Sequence, residues 1–179
     1  QGWECYALNL RGHGKSEGRV RWASSIDYVA DVAQVAADIG SNPIVIGHSM
    51  GGYVVQKYLE THIAPAGVLL ASIPSHGILP FVVRMTIRHP LQMLKTLVFF
   101  DPYPLVGTLE RMEDAFFSPG LPREKLERYF RLIQTESYRL ILDSLLLNLP
   151  RPRRATEQQE HDRNRDRLAG DCPQDAYDP

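Results

Sequence analysis

Residues 43–52 read Pro-Ile-Val-Ile-Gly-His-Ser-Met-Gly-Gly, and this stretch decides the fold. A short run of apolar, partly β-branched residues ends at Gly47, and a helical pattern begins near Met50. The five residues from Gly47 to Gly51 match G-x-S-x-G, which forms a sharp turn between a strand and a helix. The sequence therefore predicts a strand, a tight turn with Ser49 at its apex, and a helix.

The chemistry of such a turn explains its residue types. A side chain at Gly47 or Gly51 is expected to collide with the turn, so glycine is needed at both positions. The serine is expected in a strained backbone conformation that exposes its hydroxyl beside a helix N-terminus. The backbone N–H of Met50 then points to the place where an oxyanion forms. Gly52 adds one more small residue at the start of the helix.

The motif alone is weak, because Gly and Ser at about 7% each produce it by chance in roughly one chain of this length in twenty. Its strength comes from the strand before it and the helix after it. A glycine-rich turn with an incidental serine is the alternative interpretation.

Strands and helices alternate on both sides of the motif. Residues 3–10 are a short apolar run typical of a buried strand, and residues 67–72 are a further strand-like run. Between them, helical spacing follows a capping pattern at Ser24 and Asp27 and ends at Gly40. This order predicts an α/β fold, with parallel strands and helices on both faces of the sheet.

The character of the sequence changes twice after this region. Residues 75–150 show helical periodicity, with helices expected near 81–86, near 91–99 and after Pro122. The helix after Pro122 is expected to present one apolar face: Leu126, Tyr129, Phe130, Ile133, Leu140 and Ile141. From residue 151 onward Arg, Asp, Glu and Gln dominate, which predicts disorder.

We therefore predict three regions. Residues 1–74 form a partial core, residues 75–150 form a helical cap-like insertion, and residues 151–179 form a disordered polar tail.

Two stretches of the chain resemble the α/β-hydrolase superfamily, in its capped esterase, lipase and lysophospholipase-like branch. Residues 10–16 read Leu-Arg-Gly-His-Gly-Lys-Ser and resemble the R-G-x-G-x-S loop of that family, and residues 46–52 resemble its nucleophile elbow. Arg11 and Ser49 are 38 positions apart, which leaves room for one helix and one strand, as in the family. The resemblance implies a partial hydrolase sheet, incomplete at both ends, with a helical cap insertion.

The resemblance also implies a serine hydrolase that acts on carboxylic esters or related acyl substrates. In this family a serine attacks an acyl carbonyl, a histidine takes and returns the proton, and an acid orients that histidine. Ser49 would be the nucleophile and Met50 N–H one oxyanion donor, and the loop for the second donor would precede Gln1. The other elbow residues would have structural roles: Gly47, His48, Gly51 and Gly52.

The resemblance does not supply a complete catalytic triad of serine, acid and histidine. The family order is serine, acid, histidine, and the last histidine of this chain is His161. Residues 160–163 resemble the acid-bearing motif, but the polar sequence before them does not suit a central strand. Asp162 as a relic of the triad acid and as a solvated tail residue both stay open. His48 is expected to pack or to line the pocket, since its ring cannot easily reach the hydroxyl of the adjacent Ser49.

Loss of the triad base lowers the turnover rate of a serine hydrolase by a factor on the order of 10⁶. We therefore expect a hydrolase crippled in this chain. The alternative is a non-catalytic truncated remnant or an interaction module of the same fold.

Composition limits the partners. The net charge of −1 gives no global field toward nucleic acid or an anionic membrane. Cys5 and Cys172 lack metal-type spacing, so we expect no metal, no cofactor and a reducing, cytoplasmic compartment. Residues 91–100 are too short an apolar run for a span of about 20 residues, so stable membrane insertion is not expected. The expected partners are a small acyl substrate and, through an open sheet edge, a second copy.

The sequence argues against two other functions, namely haloalkane or epoxide chemistry and nucleotide binding. Haloalkane and epoxide branches of the fold use an Asp nucleophile, whereas the elbow here carries Ser49. Residues 11–18 match neither the dinucleotide-binding nor the P-loop pattern.

Overall fold

The computed structural model describes residues 2, 4–40, 42–118 and 120–151. The chain divides into two compact units, which are described separately. Unit 1 contains residues 1–35 and 76–149, and unit 2 contains residues 36–75 and 150–179. The predicted domain boundaries stay a prediction, and the predicted polar tail lies outside the described residues except for Arg151.

Helix α1 (Ser25–Ile39) begins and ends as its capping pattern predicts. The Ser24 N–H donates to the Asp27 carboxylate at 2.8 Å, and the Asp27 N–H donates to Ser24 Oγ at 3.2 Å. Each residue thus satisfies an N–H of the other at the start of the helix. Gly40 ends the helix with φ 71°, and its N–H donates to the Ala37 carbonyl at 3.0 Å. Glycine adopts this left-handed conformation without a side-chain clash.

Unit 2 is built on two parallel strands, β1 (Val45–His48) and β2 (Gly67–Leu70). Helix α2 (Met50–Tyr58) follows β1 directly and packs against both strands. The register pairs the first residues of the two strands with each other and the last residues with each other. The carboxyl ends of the strands are therefore level, which is the edge where open α/β sheets bind their ligands.

The strand predicted at residues 3–10 is wrong for the described positions. Residues 4–10 are irregular and mostly exposed, and the described part of the chain contains no strand that pairs with them. An extended segment without a neighbouring strand leaves its backbone groups to water, so its apolar side chains alone do not make it a strand.

Unit 1 contains the predicted helical region. The helices expected near 81–86 and 91–99 are confirmed as α3 (Leu79–Arg88) and α4 (Pro90–Phe99). Met85 and Met93 of these helices form a small core with Leu105. The remaining elements are a 3₁₀ turn, helices α5, α6 and α7, and a π-helical turn: Tyr103–Leu105, Leu109–Phe116, Arg123–Phe130, Tyr138–Leu142 and Asp143–Leu147.

The single apolar face predicted after Pro122 is wrong, because the helix ends at Phe130 and a new one begins at Tyr138. Ser137 explains the second start. Its hydroxyl accepts from the Leu140 N–H at 3.1 Å and donates to the Ala23 carbonyl at 2.6 Å. A serine that caps a helix start in this way favours a break over a continuous helix.

A buried carboxylate ties the end of unit 1 to the start of α1. Asp143 accepts hydrogen bonds from both the N–H and the hydroxyl of Ser25, each at 2.8 Å. Its other oxygen accepts from Arg139 Nε at 3.0 Å, and Asn148 donates to Ser25 Oγ at 2.8 Å. The negative charge lies at the positive end of the α1 dipole, which stabilises it.

Candidate active site

Ser49 occupies the turn between β1 and α2, where the sequence places it. Its backbone has φ 52° and ψ −117°, a conformation that residues other than glycine rarely adopt. Such a backbone costs about 1–3 kcal/mol and persists only where its surroundings impose it. The predicted strained turn is therefore present, and the Ser49 side chain is half-buried.

Four hydrogen bonds hold the two peptide groups of Ser49. Its N–H donates to the Leu70 carbonyl at 3.0 Å, which extends the β1–β2 ladder by one residue. Its carbonyl accepts from the N–H groups of Gly52, Tyr53 and Ile73 at 3.0, 3.4 and 3.3 Å. These bonds come from both α2 and the loop after β2, so strand pairing and helix packing together offset the strain.

The glycine requirement is only partly as predicted. A Cβ at Gly47 would lie 2.3 Å from the Gly51 carbonyl oxygen and 2.7 Å from the Gly52 nitrogen, which confirms the collision there. A Cβ at Gly51 would meet nothing within 4 Å, so the expected collision at that position is wrong. The second tight position is Gly52, where a Cβ would lie 2.4 Å from Ser72 Oγ and 2.5 Å from Ser72 Cβ. The close approach is thus between the first turn of α2 and the ends of both strands.

Gln56 is a structural contributor to this site that the sequence analysis missed. Its side-chain nitrogen donates to Ser72 Oγ at 2.9 Å and to the Ile73 carbonyl at 2.8 Å. It thereby ties α2 to the loop whose Ile73 N–H binds the Ser49 carbonyl. Ala71, at the start of this loop, has φ 42°, a second left-handed non-glycine residue. The available signal was a lone amide side chain one helical turn after Gly52 in a mostly apolar helix.

Comparison with known proteins identifies the family. A family model described as the alpha/beta hydrolase family matches residues 1–176. The chain belongs to the alpha/beta hydrolase family. The predicted superfamily and fold class are therefore confirmed, while the capped esterase and lipase branch stays a prediction.

Two relatives of this alpha/beta hydrolase chain add detail. A curated non-heme haloperoxidase from Rhodococcus erythropolis is 37% identical over 79 residues, which cover 41% of this chain and 28% of that protein. The solved structure of an esterase from Exiguobacterium antarcticum is similar with a TM-score of 0.54 at 16% identity, over 84% of this chain and 57% of that one. The chain thus spans under a third of the first relative and just over half of the second. The likeness to the esterase shows the fold alone.

The hydrolase elbow leaves two groups available for chemistry. The hydroxyl of Ser49 lies at the apex of the turn, and Met50 supplies the first N–H of α2. The first N–H groups of a helix have no partner within the helix, and Gly52 and Tyr53 already bond the Ser49 carbonyl. The Met50 N–H therefore suits an anion that forms beside the serine.

The two described histidines of unit 2 do not serve as bases for Ser49 in this structure. His48 is exposed on β1. His62 stacks on Tyr58 with ring centroids 4.6 Å apart, and its Nδ1 lies 2.9 Å from Thr61 Oγ1. Within the described part of that unit, no hydrogen bond joins either ring to Ser49. His161 and Asp162, the possible relics of the triad, lie outside the described residues.

One ion pair of unit 2 lies at the other end of α2, away from Ser49. Lys57 and Glu60 form a buried ion pair at 2.7 Å, and Glu60 also accepts from the Arg151 N–H at 2.7 Å. Burial raises the pKa of the Tyr58 hydroxyl, which keeps that group neutral. The Lys57–Glu60 pair lies at the C-terminal end of α2, so it places no charge beside Ser49.

The described residues lack the features of a metal centre and of a membrane-spanning helix. They contain no group of three or more His, Cys, Asp or Glu residues arranged to hold a metal ion. None of their helices has the length and apolar character that crossing a bilayer requires.

Proposed function

We propose that the protein is a serine hydrolase in which Ser49 forms an acyl-enzyme with a carboxylic ester or a related acyl substrate. The observation that carries the proposal is the left-handed backbone of Ser49 at a strand-to-helix turn. A conformation that costs free energy at one hydroxyl-bearing residue is expected where that hydroxyl reacts.

The proposed reaction assigns two roles. Ser49 Oγ attacks the acyl carbonyl carbon, a base takes the hydroxyl proton, and the carbonyl oxygen becomes an oxyanion. The Met50 N–H donates to that oxyanion. Collapse of the intermediate expels the alcohol and leaves the acyl group on Ser49, and water then releases the acid. The base and its orienting acid are not assigned to residues of this chain.

Labelling with a fluorophosphonate tests the nucleophile. The probe phosphonylates a serine that is activated for attack, and mass spectrometry of the digested chain locates the adduct. In an extended protein that supplies the base, we expect an adduct on Ser49, none in Ser49→Ala, and unchanged labelling in Ser75→Ala, which alters an exposed serine of the same unit. An adduct that persists in Ser49→Ala would refute the assignment.

The alternative function is a non-catalytic remnant or interaction module of the same fold. It is favoured by the two described histidines of unit 2, because no hydrogen bond joins either of them to Ser49. It is also favoured by exposed apolar side chains on the strands: Ile46, Val68, Leu69 and Leu70. An open strand edge beside apolar side chains favours pairing with a second copy. This alternative predicts no probe adduct and concentration-dependent association in size-exclusion chromatography. A cytoplasmic location stays a prediction under both functions.

A further inference from the structure

Helix α4 presents large apolar side chains away from the core of unit 1. Its buried residues are Met93, which packs with Met85 and Leu105, and Thr96. The opposite side of the helix carries four side chains that are 57–69% exposed: Leu91, Leu94, Val98 and Phe99. We call these four the outer row of α4. A helix that is apolar on both sides is typical of burial in a larger assembly or of contact with lipid.

Helix α3 repeats this arrangement. Met85 is fully buried, whereas Leu79, Val83 and Ile87 follow one another at every fourth position and are 49%, 49% and 75% exposed. These three form the outer row of α3. Helices α3 and α4 contact each other, and soluble monomers rarely expose so many large apolar side chains on neighbouring helices unless that surface binds something.

Charge indicates what binds there. No Asp or Glu occurs between residues 61 and 100, whereas α3 and α4 carry Arg84, Arg88 and Lys95. Arg88 forms an ion pair with Asp114 of α5. Lys95 is exposed and lies beside the outer row of α4, and Arg84 is exposed and packs over the Phe81 ring at 5.3 Å. Basic side chains beside an exposed apolar row are typical of helices that lie on anionic lipid.

An exposed tryptophan adjoins the same hairpin. Trp22 is 55% exposed and contacts Phe100, the residue that ends α4, with ring centroids 5.6 Å apart. Tryptophan prefers the boundary between membrane and water, because its ring is largely apolar and its N–H needs a polar partner.

We propose that the α3–α4 hairpin docks on an anionic lipid surface. The two outer rows enter the headgroup region, Lys95 and Arg84 contact the lipid phosphates, and no part of the hairpin crosses the bilayer. A second copy of the chain fits this face less well, because two faces with the same positive charge repel. The proposal goes beyond the hydrolase function and does not depend on Ser49.

Flotation on a density gradient tests the docking, because aggregated protein sinks while vesicle-bound protein rises. We expect the purified chain to float with vesicles of phosphatidylcholine and phosphatidylserine and to float weakly with phosphatidylcholine alone. Leu91→Ser and Val98→Ser should each weaken binding about tenfold, from the loss of a buried apolar side chain. Lys95→Gln should weaken it about fivefold, and this difference should disappear at high salt.

The matched control is Leu132→Ser, because Leu132 is as exposed as Leu91, at 69%, and lies outside the hairpin. It should bind like the unchanged chain, and so should Ser49→Ala. The variant Trp3→Phe leaves Trp22 as the only tryptophan of the chain. Anionic vesicles should shift the fluorescence emission of Trp22 to shorter wavelength, because its ring enters a less polar environment.

Several results overturn the proposal. These are equal flotation with neutral and anionic vesicles, an equal loss of binding in Leu132→Ser, and a chain that stays at the bottom of the gradient with normal helical circular dichroism. A dimer that dissociates on Val98→Ser and does not bind vesicles would show that a second copy covers the outer rows instead.

Discussion

We predict that Gly47→Ala destabilises unit 2 strongly while Gly51→Ala does not, although both glycines lie two residues from Ser49. A methyl group at Gly47 would be 2.3 Å from a backbone oxygen of α2, whereas ordinary contacts begin at 3.4 Å. The strand and the helix would have to separate by roughly 1 Å, because neither neighbour is a flexible side chain. Overpacking of this kind costs about 1–3 kcal/mol, and the shift also weakens the hydrogen bonds that hold Ser49.

The two substitutions should therefore change the free energy of unfolding by different amounts and in opposite directions. Gly47→Ala should lower the free energy of unfolding by about 3 kcal/mol. Gly51→Ala should raise it by up to about 1 kcal/mol, because alanine is the better helix former and its methyl group meets open space. Gly52→Ala should lie between them, since its methyl group would meet the Ser72 side chain.

Urea unfolding followed by far-UV circular dichroism measures these differences, with Gly51→Ala as the matched control for adding a methyl group near the elbow. The variants should shift the midpoint without changing the slope of the unfolding free energy with urea. A Gly47→Ala chain within about 0.5 kcal/mol of the unchanged protein would refute the packing described for β1 and α2.

Four further changes test other contacts. Asp143→Ala should lower the free energy of unfolding by roughly 3 kcal/mol in urea titrations, since it leaves buried donors at the start of α1 without an acceptor. Gln56→Leu should lower it by about 1–2 kcal/mol, because it removes the hydrogen bonds to Ser72 Oγ and to the Ile73 carbonyl, and it should reduce fluorophosphonate labelling. Ser49→Gly should be more stable than Ser49→Ala by about 1 kcal/mol, because glycine relieves the left-handed strain, and equal stabilities would contradict that strain. Hydrogen bonds from Ser24 lower the pKa of Asp27 below its ordinary 3.8, so the native state holds this carboxylate ionised more readily than the unfolded state does. Its contribution is present above pH 3.8 and is lost as the pH falls through the folded pKa, so Asp27→Asn should lower the melting temperature at pH 7 and have no effect in strong acid.

Local signals predicted the parts of the fold that depend on neighbours in sequence. The cap at Ser24 and Asp27 and the end of α1 at Gly40 follow from interactions within a few residues. The turn at Ser49 leaves a similar local signal in Gly47, where any side chain would collide with Gly51 and Gly52. Each of these features requires a particular side chain, or a glycine without one, at a fixed position. The sequence pattern is therefore enough to predict it.

Sequence patterns failed to predict the local structure where that structure depends on residues far away in the chain. Residues 4–10 have strand-like composition, but strand formation needs a partner that composition does not supply. The break before Tyr138 depends on the bond from Ser137 to the Ala23 carbonyl, more than a hundred residues earlier in the chain. The role of Gln56 likewise depends on the loop after β2, which lies nearby only once the two strands pair.

The same distinction explains why the proposed nucleophile is easier to predict from the sequence than its catalytic partners. Every contact described for Ser49 comes from residues 47–73, namely β1, α2, β2 and the loop that Gln56 holds. A turn supported entirely by one βαβ unit forms whenever that unit forms, so a short motif is enough to predict it. A base and an orienting acid come from separate segments, and only the assembled sheet brings them to the serine. For this chain the strain at Ser49 is therefore a property of unit 2 alone, whereas the reaction we propose requires a proton acceptor from outside that βαβ unit.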